Sequence, residues 1–412
     1  MAARSEPIKI LIVDDAVVVR RMLANLLAED ADLLVVGTAV NGRDALQRMP
    51  DLKPDLVILD IDMPEMNGLD TLAVLSRDYP RVAVVMFSTS TRRGAAETLE
   101  ALALGAKDYV AKPEHATNAG EALQQVRSVL VPKIKALCPE RSKEPLSPLV
   151  RTPRPTSASG GASQHGDSAP ANVSVTLPSR TPAAVPVVPP PAVRQSAARR
   201  AGIDLVVIGS STGGPNALAV VFASLPADLA VPVVIVQHMP PVFTRMLAER
   251  LDGLSPLKVR EGTDGARLAA GEAWIAPGDF HMTVKRTGDG VVIGLNQQAA
   301  ENSCRPAVDV LLRSAVETFG ARVLAVILTG MGQDGLLAAM RLHELGGQVV
   351  AQDEASSVVW GMPGNVVRAG IADVVLPIDR IAAEISTRVR AAASGLKETG
   401  SWRISDVGKR PC

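Results

Sequence analysis

An apolar run from Leu205 to Ile208 leads directly into Gly209-Ser210-Ser211-Thr212-Gly213-Gly214. A serine at a sharp turn between a buried strand and a helix is one way to present a nucleophile. The glycines permit the turn, and the helix start offers unpaired N–H groups where negative charge can develop. The same residues could equally form a plain strand-to-helix turn, so two later segments decide the reading. Val231 to Val236 is a second apolar strand, ending in Gln237-His238. Val323 to Leu328 is a third, ending in Thr329-Gly330-Met331-Gly332-Gln333-Asp334-Gly335. If the three lie parallel in one sheet, Ser211, His238 and Asp334 leave its carboxyl edge, where open α/β sheets build their sites. Nucleophile, base and orienting carboxylate for acyl transfer then share one rim.

A second set of reactive residues precedes this one. Asp14-Asp15 follow the strand Ile8–Val13, Asp60 ends Leu56–Asp60, Ser88 ends Val82–Ser88, and Lys112-Pro113 follow Asp108–Ala111. Carboxylates gathered in one cleft repel one another and tolerate it only around a hard cation. Mg²⁺, which favours octahedral oxygen coordination and retains waters, fits a few carboxylates plus a phosphate. A phosphoryl group on Asp60 would be neutralised by the metal and Lys112, with the Ser88 hydroxyl left to donate a hydrogen bond.

The elements that position both sets form an α/β pattern. Leu33–Val36 completes five short strands before residue 112, separated by helical stretches such as Val17–Glu29 and Ala95–Leu104. Five βα units predict a small doubly wound parallel-sheet domain over 1–137. From 138 to 200 the composition changes: eleven of the thirty prolines lie between Pro145 and Pro191, and no aromatic residue occurs. Such a segment cannot bury enough apolar surface to offset its ordering entropy, and is read as a flexible linker able to span on the order of 40 Å. Strand and helix signals alternate again over 201–392, a second doubly wound α/β domain, and a polar tail fills 393–412.

At 412 residues, with 47% apolar and 21% charged residues, the chain has material for two cores, built from aliphatics because aromatics are only 2%. Lys plus Arg and Asp plus Glu both number 43, so no overall field favours nucleic acid or an anionic membrane. No run is long enough for a transmembrane helix or a signal-peptide core, and a cytoplasmic protein is expected. Cys138, Cys304 and Cys412 are far apart, odd in number and without metal-ligand spacing, and are read as bystanders.

Val13-Asp14-Asp15, the run from Asp60 to Gly68, Ser88, and Tyr109-Val110-Ala111-Lys112-Pro113 resemble the receiver domain of bacterial two-component response regulators, a flavodoxin-like fold. That resemblance implies that Asp60 accepts phosphate from a chemotaxis-type sensor histidine kinase. It implies that Asp14, Asp15, Asp60 and the main-chain carbonyl of Asp62 hold Mg²⁺, and that Ser88 and Tyr109, with Lys112, form the switch that reports phosphorylation. Ala16 stands where chemotaxis receivers often carry serine, with no expected effect on the chemistry.

The segments around Ser211 and His238, Ala276 to Met282, Arg305 to Leu311, and Leu328 to Gly335 are similar, in order and content, to the catalytic domain of the chemotaxis receptor methylesterase family, with a Rossmann-like fold. The implied activity is hydrolysis of glutamate methyl esters and deamidation of specific glutamines on methyl-accepting chemoreceptors, giving sensory adaptation. By the same resemblance Ser211 is the nucleophile, His238 the base and Asp334 its orienting residue. The main-chain N–H of Met331 is an oxyanion donor, Thr212 lines the pocket, and the hydrolase needs no cofactor. A monomer recruited to receptor arrays is implied, with the unphosphorylated receiver covering the hydrolase. A long linker lowers the receiver's effective concentration only slowly, so restraint should survive but leak.

Ser210 adjoins Ser211, but Ser211 is the centre of Gly-x-Ser-x-Gly. His281, after a Pro-Gly turn, is a rival base or a pocket-lining residue. Asp309 and Arg313, four apart on a predicted helix, read as a structural ion pair. A Rossmann nucleotide site would need glycine in place of Ser211 and an acidic residue after the second strand, where Gln237-His238 stand. A DNA-binding output would need a basic recognition helix, and the second domain shows no obvious basic cluster. A catalytically dead adaptor is opposed by the intact Ser, His and Asp.

Overall fold

The computed structural model describes residues 6–89, 91–112, 119–138 and 202–398. The expected linker, apart from Cys138, the tail beyond residue 398, Pro113 and Cys412 lie outside the described residues.

The first sheet comprises β1 (Ile8–Val13), β2 (Leu33–Ala39), β3 (Leu56–Asp60), β4 (Ala83–Ser88) and β5 (Asp108–Ala111) in the order β2-β1-β3-β4-β5. Every pairing is parallel. Between and after the strands come α1 (Val17–Ala28), α2 (Gly42–Leu52), α3 (Gly68–Asp78), α4 (Arg92–Ala103) and α5 (Ala119–Leu137). Leu11 and Val13 enter one buried cluster while Ile10 and Ile12 enter another, so both faces of the sheet are covered. This is why β1 reads as a continuous apolar run instead of an alternating one. Asn41, Asn67 and Thr91 cap α2, α3 and α4 by accepting the N–H of Asp44, Asp70 and Gly94.

The second sheet has seven parallel strands. They are β6 (Leu205–Ser210), β7 (Val233–Gln237), β8 (Lys258–Glu261), β9 (Glu272–Ile275), β12 (Val323–Ile327), β13 (Gln348–Gln352) and β14 (Val374–Leu376). Their order is β14-β13-β12-β6-β7-β9-β8. Helices α6 (Gly214–Ser224), α7 (Phe243–Leu254), α8 (Val308–Phe319), α9 (Leu336–Glu344), α10 (Met362–Arg368) and α11 (Ile378–Glu398) complete it. An antiparallel hairpin, β10 (His281–Thr287) and β11 (Gly290–Asn296), packs against α8. The alternation recurs here, with Val206 and Ile208 in one core and Leu205 and Val207 in the other. β12, β6 and β7 are adjacent, with Ile327 beside Gly209 and Ser210 beside Gln237, so their carboxyl ends are level. No helix among the described residues is long and apolar enough to cross a membrane.

Candidate active site

Ser211 follows β6 directly, and its N–H donates to Thr329 O at 3.0 Å, which ties the turn to the loop after β12. Glycine is required around it for space. A Cβ on Gly330 would stand 2.9 Å from Ser211 Cβ, and one on Gly213, already at φ 79°, 2.6 Å from Val358. Ser210 is fully buried and donates to Gln237 Oε1 at 2.7 Å, while Gln237 Nε2 donates to Ser211 O at 2.8 Å. Ser210 is thus committed to the sheet, and Ser211 is the partly accessible serine of the pair.

His238 leaves the end of β7, and its Nε2 lies 2.7 Å from Asp334 Oδ2. Asp334, 2% exposed, lies in the loop between β12 and α9 and packs against the N-terminus of α8. Its Oδ2 also accepts the N–H of Val308 at 2.6 Å, and its Oδ1 accepts the N–H of Asp309 at 3.0 Å and Asn302 Nδ2 at 2.8 Å. A helix N-terminus suits a carboxylate because its first N–H groups lack intrahelical partners. Burial alone would raise the Asp334 pKa. The His238 bond and the two backbone N–H groups outweigh it and leave the carboxyl below its usual value. For His238, burial opposes the charged ring, but the Asp334 bond and the Cys304 thiol beside it prevail and raise the imidazole pKa.

The other candidates fall into place around this pair. His281 is buried, with Nδ1 accepting the N–H of Ala307 at 3.3 Å and Nε2 lying 3.0 Å from Ala299 O. Both ring nitrogens are engaged in holding the 299–307 loop, so it does not compete with His238. The expected Asp309–Arg313 pair does not form: Arg313 pairs with Glu301, its NH2 nitrogen 2.7 Å from Oε2. Asp309 is fully buried and turns inward, accepting from Ala338 N at 2.8 Å and Asn302 Nδ2 at 3.0 Å. The inward carboxylate finds N–H donors in the first turn of α9 and in the Asn302 carboxamide, which outcompete an exposed guanidinium. Cys304 is half-buried beside His238, closer to the chemistry than its isolation in sequence suggested.

At the first sheet, one oxygen from each of Asp14, Asp15 and Asp60 lies within 4.8 Å of the others. Lys112 Nζ reaches Asp14 at 2.9 Å and Asp60 at 2.8 Å. Burial pushes the Asp60 pKa up to about 6, against the pull of Lys112 and with a contribution from Asp14. Two acids and one lysine do not quiet a third acid, so this all-oxygen cluster is suited to a hard divalent cation. The Ser88 hydroxyl faces Thr89 O at 3.2 Å and Gly94 O at 3.3 Å and accepts from Thr98 Oγ1 at 2.7 Å. It is engaged with the start of α4.

The two edges meet through the α4-β5 side of the first sheet. Tyr109 stacks on Phe243 of α7 with centroids 4.6 Å apart, and its hydroxyl is buried without a partner among the described residues. Thr212, next to Ser211, donates to Asp108 Oδ2 at 2.6 Å, which also takes Lys133 Nζ at 2.8 Å. Asn216 Nδ2 and Arg250 donate to the α4 carbonyls of Leu102 at 2.6 Å and Leu99 at 2.7 Å. Sequence reading missed Asp108, Phe243, Gln237 and Asn302. Gln237 directly precedes His238, whereas Asp108, Phe243 and Asn302 carry no local signal.

Comparison with known proteins follows the same division. A family model described as CheB methylesterase matches residues 206–385, and one described as response regulator receiver domain matches residues 10–124. A Nocardioides protein named protein-glutamate methylesterase/protein-glutamine glutaminase is 45% identical over 394 residues, covering 96% of this chain and 99% of that protein. One of the same name from Trichodesmium erythraeum is 44% identical over 381 residues, covering 92% and 99%. The crystal structure of the Thermotoga maritima CheB methylesterase catalytic domain is 45% identical, with a TM-score of 0.44, covering 45% of this chain and 98% of that one.

Proposed function

The chain belongs to the family of receiver-linked protein-glutamate methylesterase/protein-glutamine glutaminases, and from that premise we propose that Ser211, His238 and Asp334 hydrolyse glutamate methyl esters on chemoreceptors under control of phosphorylation at Asp60. The observation that carries the reading is the His238–Asp334 bond at the carboxyl edge that also presents Ser211. With Nε2 held by Asp334, Nδ1 is the ring nitrogen for the serine. Ser211 Oγ attacks the ester carbonyl carbon as its proton passes to His238. The tetrahedral oxyanion collapses, methanol leaves with the proton from His238, and a glutamyl ester on Ser211 remains. Water, deprotonated by His238, then releases glutamate and Ser211. For glutamine the leaving group is ammonia. The N–H of Met331 is the proposed oxyanion donor, with Thr212 on the pocket wall.

In the receiver, over 1–137, Asp14, Asp15, Asp60 and the carbonyl of Asp62 would hold Mg²⁺, which supplies charge neutralisation to a phosphoryl group. Lys112 adds its own positive charge. A chemotaxis-type histidine kinase is the proposed donor. Phosphate on Asp60 would draw the Ser88 hydroxyl away from the Gly94 carbonyl of α4, and Tyr109 would follow, loosening the Phe243 stack and the Asp108–Thr212 bond beside the nucleophile. The hydrolase over 201–392 would thereby open to substrate.

The test is methanol release from methylated receptor. Ser211→Ala and His238→Ala are expected to lose nearly all activity, on the order of 10³-fold or more, while Asp334→Ala retains a residue, because serine and base act as one unit. Hydrolysis by Ser211→Ala at near wild-type rate would refute the assignment.

A further inference from the structure

Two carboxylates, Asp334 and Asp309, are buried next to each other behind His238, 2% and 0% exposed. Their mutual repulsion raises the Asp309 pKa, after burial itself, although bonds from Ala338, Asn302 and Gly335 oppose the rise. An arrangement of this kind stands only where N–H donors saturate the oxygens. Most donors come from main chain, and one side-chain group serves both acids. Asn302 Nδ2 gives a hydrogen bond to Asp334 Oδ1 at 2.8 Å and to Asp309 Oδ2 at 3.0 Å. A carboxamide has two protons on one nitrogen, and here each is directed at a different carboxylate. Serine, threonine or alanine could not do both.

Asn302 is held for this task. It adopts φ 53°, a left-handed conformation that asparagine tolerates better than most residues, and Ser303 follows at 60°. The loop is fastened on every side. His281 bridges Ala299 and Ala307, Glu301 pairs with Arg313, and Arg305 grips Asp279 Oδ1 and the carbonyl of Gln298. An otherwise exposed loop residue thus turns its polar end inward onto the acid that orients the base.

We infer that Asn302 is a positioning residue for the hydrolysis, holding Asp334 on His238 against the repulsion of a second buried carboxylate. This rests on the reading of Ser211, His238 and Asp334 as the triad. The titratable groups around the ring are Asp334 in direct contact, Asp309 behind it and the Cys304 thiol, with the Glu301–Arg313 and Asp279–Arg305 pairs on the same loop. Loss of the Asn302 donor leaves Asp334 more basic, which favours imidazolium on His238. An added charge at 302 acts in the same direction more strongly.

The experiment compares the full-length chain, Asn302→Ala and Asn302→Asp for methanol release from methylated receptor across pH, with thermal melts to verify folding. Asn302→Asp preserves side-chain size and adds a charge, and Asn302→Ser, which retains a single hydroxyl donor, covers the case in which either of these variants does not fold. Expected are a kcat lowered roughly ten- to a hundredfold at neutral pH, KM within about twofold, and an acid limb of kcat/KM moved to higher pH, further for aspartate than for alanine. An unmoved acid limb in folded variants overturns the inference whatever their rates, because a merely structural residue would change amount and not titration. Ser211→Ala run alongside separates the two readings. Its inactivity with an unmoved limb sinks the role of Asn302 alone, and its retained activity sinks the triad and this role with it.

Discussion

At the carboxyl edge of the first sheet Asp14, Asp15 and Asp60 crowd within 4.8 Å of one another with one lysine between two of them. At the edge of the second, Asp334 takes four N–H donors, from His238, Val308, Asp309 and Asn302. The consequence is an opposite displacement of the two carboxyl pKa values. Burial prevails at Asp60 and raises its pKa to about 6, whereas the donors prevail at Asp334 and lower it. Similar strands in similar topologies therefore deliver one acid under strain, suited to accept a cation and a phosphoryl group, and one already at rest, suited to steady a base. The chemistry at each edge follows from how many donors its loops supply.

The sharpest way to break this comparison is at Asp60. Incubation with acetyl phosphate or phosphorylated kinase in Mg²⁺ is expected to label the chain, and Asp60→Asn is expected to abolish the label, because Asp60 is the proposed acceptor and, of the three clustered acids, the one whose pKa burial pushes up to about 6. Undiminished labelling of Asp60→Asn, or labelling in excess chelator, would contradict it.

A smaller effect sharpens the other side. The proposed mechanism requires neutral His238, and its pKa is raised, so kcat/KM should climb with pH through a limb above the ordinary imidazole value of about 6.5. A pH–rate profile over the neutral and alkaline range measures it. A limb at or below the ordinary value would mean that Asp334 does not hold the imidazolium.

Much of both edges was legible in the sequence because local rules govern it. Apolar runs marked β1, β3 and β6, and the reactive residues lay where those runs stopped. The strand Asp108–Ala111 and the serine turn were read for the same reason. What escaped depends on partners far along the chain. Asp309 and Arg313 have the spacing of an ion pair, but spacing does not reveal that Asp309 faces inward toward Asn302 and Ala338. Asn302 looks like any polar loop residue until the fold brings Asp334, 32 positions away, beneath it. The Asp108–Thr212 bond joins residues 104 apart and belongs to no motif. The hairpin of β10 and β11 was not anticipated, although its alternation of apolar and polar residues in Met282-Thr283-Val284-Lys285 is a strand signal.

The central claim is that the first edge governs the second through the contacts around Thr212 and Phe243. Its most direct measurement is methanol release from methylated receptor, under identical conditions, by a fragment from about Ala201 onward, by the unphosphorylated full chain and by the phosphorylated full chain. The fragment is expected to exceed the unphosphorylated chain, with phosphorylation of Asp60 closing most of that gap. Equal rates for all three would contradict the account and leave recruitment to receptors as the receiver's role.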